Sequence, residues 1–196
     1  MPRRTEITSR EFCDGPIRVI GGEFKGRKLL SPRWSGLRPT SDRLRGTLFN
    51  VLNSRIEDAV FLDGFSGTGA IGIEAISRGA ATVVFIERDP RAAALITKNL
   101  DRCAVGNQCA LVHGSLPEVL NDDHEIDGFD VVVLDPPYEC PESEIGGILS
   151  AVAERVLSGG CVVLERARES SASDVRGLHY FRRIAAGRSV LDFYGK

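Results

Sequence analysis

From Ala59 onward, short apolar runs alternate with stretches of helical spacing, and that alternation leaves few folds open. Val60-Phe61-Leu62-Asp63, Thr82 to Glu87, Cys109 to His113, Phe129 to Leu134 and Cys161 to Glu165 read as five strands. Phe129 to Leu134 is a near-continuous apolar run, as expected of a parallel strand buried on both faces. A Gly-rich turn leads from the first strand into a helix through Ile76, with Gly79 as its C-terminal stop. Asp89-Pro90 caps and opens the next helix, with proline at the first position, where its missing N–H costs nothing. A further helix spans roughly Glu142 to Leu157, and Tyr180 to Ile184 with Ser189 to Tyr194 reads as a hairpin around Gly187. The pattern predicts a doubly wound α/β sheet, mostly parallel, with an antiparallel hairpin at its far edge.

The 196 residues make one such domain with room for an appendage. Residues 1–16 read as a flexible tail, 17–46 as a basic extension and 47–196 as the main domain. Within the extension, Ile17 to Leu30 reads as two short strands around Gly-rich turns. Ser31 to Arg38 is a loop holding Trp34, expected to pack against that hairpin or, alternatively, to stack on a base. Pro39-Thr40-Ser41-Asp42 starts a helix that carries Leu44, Leu48, Val51 and Leu52.

Net charge is only −2, but it is unevenly spread. Eleven basic residues face five acidic ones through Gly46, whereas the remainder holds 14 basic and 22 acidic residues. A basic front on an acidic body suits contact with a polyanion, although a solvated basic tail gives the same count. No apolar run reaches the length of a membrane span, and the N-terminus lacks a signal-peptide core, so no membrane partner and a cytoplasmic setting are expected. The five cysteines form no C-x-x-C pair, which argues against a disulfide framework or a zinc site. His113, His124 and His179 have no metal-ligand spacing, and Asp122-Asp123 reads as a solvated loop. No metal is expected.

Asp63-Gly64-Phe65-Ser66-Gly67-Thr68-Gly69 sits where the first parallel strand gives way to a helix, the crevice in which open α/β sheets bind ligands. Gly67 and Gly69 permit positive φ and a close backbone approach, and the helix N–H groups can face an anion such as a carboxylate. Gly67 to Gly72 also matches G-x-G-x-x-G, with Glu87 the expected ~20 residues further on, so a nicotinamide enzyme stays open at this point. Asp63 ahead of the glycines resembles instead the first motif of S-adenosylmethionine methyltransferases.

Asp135-Pro136-Pro137-Tyr138 follows the fourth strand directly. The prolines stiffen the turn, so the Asp135 carboxylate and the Pro136 carbonyl are fixed as two acceptors for the two N–H bonds of an amino group. An exocyclic amino nitrogen of a base is a poor nucleophile. Acceptors placed on its protons favour charge build-up on nitrogen as a methyl group arrives, without a covalent intermediate. Tyr138 offers a flat face to an unstacked base. Cys140 lies outside the motif, and nothing in the sequence nearby would lower its pKa, so a cysteine-dependent C5 mechanism is not expected. Asp-Pro-Pro-Tyr resembles the signature of methyltransferases acting on amino nitrogens.

Arg18-Val19-Ile20-Gly21-Gly22, Lys25-Gly26-Arg27, Arg38-Pro39-Thr40-Ser41-Asp42-Arg43 and Leu48-Phe49-Asn50 resemble the N-terminal signature of the RsmD family of bacterial small-subunit rRNA guanine-N2 methyltransferases. Gly67 to Ala80 is similar to that family's cofactor loop and first helix, and the likeness runs from Ile17 to Tyr194. The resemblance implies a Rossmann-like seven-stranded sheet with a small N-terminal hairpin. It also implies methylation of the N2 of one guanine of 16S rRNA, position 966 in the family, on assembled or partly assembled small subunits, by a monomer. Carried over, Asp63, Phe65, Ser66, Gly67, Thr68, Gly69, Glu87, Arg88, Ser115, Leu116 and Thr40 would bind S-adenosylmethionine. Asp135, Pro136 and Tyr138 would serve the target base, and Arg18, Lys25, Arg27, Lys28, Arg38, Arg43 and Arg45 would contact RNA.

Two departures from the family pattern stand out. Gly64 and Ser66 replace the more usual Leu and Ala, and Ser115 stands where related enzymes carry an Asp that accepts from the adenine amino group. An N6-adenine methyltransferase and a non-catalytic RNA-binding assembly factor remain the alternative readings.

Overall fold

The computed structural model describes residues 11–37, 40–121 and 128–196. A two-stranded antiparallel hairpin, β1 (Phe12–Arg18) and β2 (Lys28–Pro32), precedes a seven-stranded sheet. That sheet comprises β3 (Val60–Asp63), β4 (Thr82–Glu87), β5 (Cys109–His113), β6 (Phe129–Leu134), β7 (Val156–Ala167), β8 (His179–Ala186) and β9 (Ser189–Gly195), in the order β5-β4-β3-β6-β7-β9-β8. The first five in that order are parallel, and β9 and β8 close the far edge antiparallel. The chain winds outward from β3 to β5, then returns to lay β6 against the other side of β3. The strand order therefore reverses between β3 and β6, the place where such sheets open a crevice at their carboxyl ends.

Both faces of the central strands are covered, which is why their sequences are apolar throughout. On one face α1 (Asp42–Leu52), α2 (Ala70–Ser77) and α3 (Pro90–Cys103) bury Leu48, Phe49, Ile73 and Ile96 against Phe61, Phe85 and Val131. On the other, α4 (Glu118–Asn121) and α5 (Glu142–Arg155) bury Val119, Ile148, Leu149 and Val152 against Leu62, Val84 and Val132. Each fully buried side chain of this kind contributes roughly 1.5–3 kcal/mol. Local chemistry sets the helix starts. Ser41 accepts from the Leu44 N–H at 3.3 Å, and Asp89 accepts from the Arg91 N–H at 2.8 Å ahead of Pro90.

Three sequence expectations need correction. The tail predicted to run to residue 16 gives way at Phe12, where β1 begins; the Phe12 ring is buried edge-on against Trp34, centroids 5.9 Å apart. Residues 1–10 lie outside the described residues. The helix expected to end near Leu157 stops at Arg155, and β7 begins at Val156 instead of Cys161. A register shift against β6 between Phe129 and Val131 absorbs Leu157–Gly160, the residues around the expected helix end and strand start.

The hairpin is fastened to the helices that carry the crevice. Glu74 of α2, fully buried, accepts from the Ile20 and Gly21 N–H groups at 2.7 and 2.8 Å. Ser77 Oγ accepts from the Phe24 N–H and donates to the Gly21 carbonyl. Asn99 of α3 pairs with both backbone groups of Leu30 and also donates to the Thr68 carbonyl at 2.9 Å. Among the described residues, no helix is long and apolar enough to cross a membrane.

Candidate active site

The turn after β3 is built from the bottom up. Asp63, 1% exposed, lies beneath it, and its Oδ2 accepts from the Gly72 N–H at 2.9 Å inside the first turn of α2. Burial, and then the charges of Asp135 and Glu87, push its carboxyl up to about 7 against the opposing effect of the Gly72 bond. Ser66 Oγ donates to the Asp63 carbonyl at 2.8 Å and lies 3.2 Å from the Ile86 carbonyl, pinning the turn to the ends of β3 and β4. Gly69, at φ 76°, caps α2 in the left-handed region, and Gly67 has φ 54°.

A cleft of about 470 Å³ opens above this floor, within the roughly 300–1,000 Å³ range of small-molecule sites. Phe65, Gly67, Glu87, Arg88, Ser115, Leu116 and Asp135 line it, as do Trp34, Leu37 and Arg91. Asp63, Ser66, Thr68 and Gly69, expected at the cofactor, lie beneath this lining: Asp63 Oδ2 accepts from the Gly72 N–H, Ser66 Oγ donates to the Asp63 carbonyl, the Thr68 carbonyl accepts from Asn99, and the Gly69 N–H donates to the Ser66 carbonyl. Glu87 spans the rim: one oxygen accepts from the Gly67 N–H at 2.8 Å and the other from the Asp89 N–H at 2.8 Å.

The walls carry Glu87, Asp89, Glu118, Asp135 and Glu144 against Arg88 and Arg91, so the cleft favours a ligand bearing positive charge. Gly67 leaves no Cβ on the wall, where one would stand 3.1 Å from Leu37 Cδ1. These features fit S-adenosylmethionine, which is cationic at sulfur, and Glu87 and Ser115, both expected at the cofactor, line this cleft.

Asp135 leaves β6 at the switch point and forms part of the cleft wall. Thr40, expected at the cofactor, donates from its Oγ1 to Asp135 Oδ2 at 2.7 Å. Pro136 is buried, while Tyr138 is 49% exposed, with its hydroxyl 2.8 Å from Ser189 Oγ. Sequence reading missed Glu165 on β7. It is buried beside Asp135; burial and the Asp135 charge raise its carboxyl, and the Ser189 and Tyr138 hydroxyls oppose that rise. Burial pushes the Asp135 carboxyl above its ordinary range, opposed by the bonds from Thr40 and Glu165. The one available clue in sequence was an acid at the end of a strand that could neighbour the one ending in Asp135.

Of the cations assigned to RNA, Arg18, Lys25, Arg27, Lys28 and Arg43 are exposed, and Arg38 lies outside the described residues. Arg18 sits 3.8 Å from Asp42, and Arg27 lies over the Phe24 ring and bonds the Cys103 carbonyl. Arg45 is a correction: it is fully buried and donates to the Arg18 and Thr40 carbonyls and to Asp42, so it holds the extension together and faces no ligand. Trp34 packs on Phe12 of the hairpin as expected, and Arg91 lies 5.0 Å from its ring centre at the cleft. Burial and Glu144 raise the Cys140 thiol, which leaves it no thiolate character for covalent catalysis. Among the described residues, no group of three or more His, Cys, Asp or Glu is arranged to hold a metal.

The chain is similar to known proteins in sequence and in fold. Ribosomal RNA small subunit methyltransferase D of Haemophilus influenzae is 42% identical over 126 residues, 63% of this chain and 65% of that relative, so the matched region spans just under two thirds of its length. Bacillus subtilis YlbH is 30% identical over 184 residues, covering 92% of this chain and 99% of that protein. The solved structure of Escherichia coli yhhF superposes with a TM-score of 0.79 at 32% identity, covering 92% of this chain and 97% of that one. A family model described as conserved hypothetical protein 95 matches residues 17–195, from the hairpin to the last strand, and the chain belongs to that family, RsmD.

Proposed function

We propose that this protein transfers a methyl group from S-adenosylmethionine to the exocyclic N2 of a guanine in 16S rRNA of the small ribosomal subunit. The observation that carries the reading is Asp135, an acceptor held by Thr40 on the wall of an acidic cleft, three residues before an exposed Tyr138. S-adenosylmethionine supplies an electrophilic methyl group on a sulfonium. Phe65, Gly67, Glu87, Arg88, Ser115 and Leu116 hold it in the cleft, over the support formed by Asp63, Ser66, Thr68 and Gly69.

The chain's own work is positioning and electrostatics. Asp135 accepts an N–H bond from the amino group, the Tyr138 ring supports the flipped base, and the fixed turn spares reorganisation during reaction. The exposed cations Arg18, Lys25, Arg27, Lys28 and Arg43 draw the basic front onto rRNA phosphates. The enzyme acts as a monomer on assembled or partly assembled subunits, where ribosomal context supplements this modest basic surface.

The test is tritiated methyl transfer to small subunits from cells lacking the endogenous guanine-N2 activity, beside naked rRNA and DNA. Label recovered as N2-methylguanosine, and reduced about 10²–10³-fold by Asp135→Ala, is the expected result. Label confined to adenine or to DNA would refute the assignment.

A further inference from the structure

Asp135 does not stand alone. β6 and β7 are parallel neighbours with Leu134 opposite Leu164, so the next residue on each strand, Asp135 and Glu165, leaves the sheet side by side. Leu134 and Leu164 are buried on the α5 face, which turns the two acids to the opposite face, where Thr40 enters ahead of α1. Glu165 is 6% exposed and hydrogen-bonds the Asp135 carboxylate. Two carboxyl groups can share a hydrogen bond only if one keeps its proton, because two ionised groups in contact repel.

No cation among the described residues reaches the pair to relieve that repulsion: Arg88 and Arg91 share the cleft wall with Asp135, but Arg91 pairs with Asp89 and Arg88 forms no ion pair with either acid. Arg166, the next residue on β7, pairs with Glu142. Arg183 of β8 is engaged with Asp192 of β9. Asp63 adds a further acid from β3. Thr40, Tyr138 and Ser189 contribute only hydroxyls. Among the described residues, no ion pair reaches either Asp135 or Glu165.

We propose that Glu165 is a positioning residue that keeps its proton and donates it to Asp135, fixing that carboxylate as the charged acceptor for the target amino group. This rests on the methyltransferase reading. As the nitrogen lone pair forms the new N–C bond and the methylsulfonium C–S bond breaks toward sulfur, the nitrogen becomes cationic. One of its N–H protons then passes to Asp135, the bonding pair returning to nitrogen, and the two carboxyl groups together hold two protons and no charge. Thr40 and Glu165 between them hold the Asp135 carboxylate in place, with the hydrogen-bonded hydroxyls of Tyr138 and Ser189 beside them.

Burial and the Asp135 charge push Glu165 up to about 8, so the donating form dominates below that pH and is lost above it. The experiment compares wild type, Glu165→Gln and Glu165→Ala. Gln is a permanent neutral donor. It should keep kcat within about threefold of wild type at pH 7 and abolish the fall in kcat that wild type shows above about pH 8. Ala should lower kcat on the order of 10- to 100-fold at every pH, with cofactor affinity and melting temperature near wild type.

In ligand-free protein carrying δ-¹³C glutamate, one carboxyl resonance should titrate near pH 8 and vanish in Glu165→Gln. An alkaline limb unchanged in Glu165→Gln, or no resonance titrating above pH 7, would overturn the proposal. Equal loss of activity and cofactor affinity in both variants would also overturn it, as a purely structural role. If wild type methylates no RNA, the functional reading fails, while the carbon resonance still decides where the proton sits.

Discussion

Replacing Asp63 by Asn removes a carboxyl group whose ionisation the fold resists. Asp63 is 1% exposed, and its pKa rises from the ordinary 3.8 to about 7, chiefly through burial. As pH rises, the unfolded chain releases this proton first, so stability is highest below the unfolded value and falls until pH passes about 7. At about 1.4 kcal/mol per pKa unit, the full gap corresponds to on the order of 4 kcal/mol, of which roughly 2.5 kcal/mol falls between about pH 5 and pH 8. Asn keeps the size of the side chain and an oxygen for the Gly72 N–H, but cannot ionise. Urea unfolding of both proteins across this range gives the comparison, and the titration of Glu165, common to both, cancels. The stability of Asp63→Asn relative to wild type should improve by roughly 2.5 kcal/mol from about pH 5 to pH 8. A difference that stays flat across the range would refute the argument that this carboxyl is buried neutral under the turn.

Arg45→Ala should cost about 3 kcal/mol, since it strands the Arg18 and Thr40 carbonyls and Asp42, while leaving the salt dependence of RNA binding unchanged. Lys25→Ala should do the reverse in equilibrium unfolding and salt titration, with stability within about 0.5 kcal/mol and the salt slope lowered by about 1. Gly72→Ala places a Cβ 2.2 Å from the Phe85 ring and should cost about 1–3 kcal/mol by thermal melting. Glu74→Ala should release the Ile20 and Gly21 amides to rapid hydrogen exchange and destabilise by about 3 kcal/mol.

Where local chemistry decides, the sequence was readable. Thr82 to Glu87 is bounded as expected because its apolar run stops at a charged turn, and Asp89-Pro90 caps α3 as its residue types dictate. Asp135 falls at the end of its strand for the same reason. The misreadings concern partners distant in the chain. Phe12 gave no strand signal between Glu11 and Gly15, because its burial depends on Trp34. Arg45 looked like one more surface cation, although it shares a helical stripe with Phe49 and Leu52, which is the clue that it turns inward. The pairing of Glu165 with Asp135 is a matter of strand register that no window of sequence contains, and the bond from the Gly72 N–H to Asp63 depends on how the turn brings α2 back over the end of β3.

The way the hairpin is fastened bears on how such a protein can change over time. Glu74 and Asn99 satisfy backbone groups of the extension from inside the main domain, and Asn99 holds the Thr68 carbonyl with the same amide. A chain lacking residues 17–46 would leave Glu74 without its two backbone donors and Asn99 without Leu30, next to the turn after β3. The extension is therefore no interchangeable cassette that recombination can swap between scaffolds. Under the proposed RNA reading, a shift to a different RNA would come by resurfacing exposed positions such as Lys25, Lys28 and Arg43, one side chain at a time, on a backbone the lineage is not free to discard.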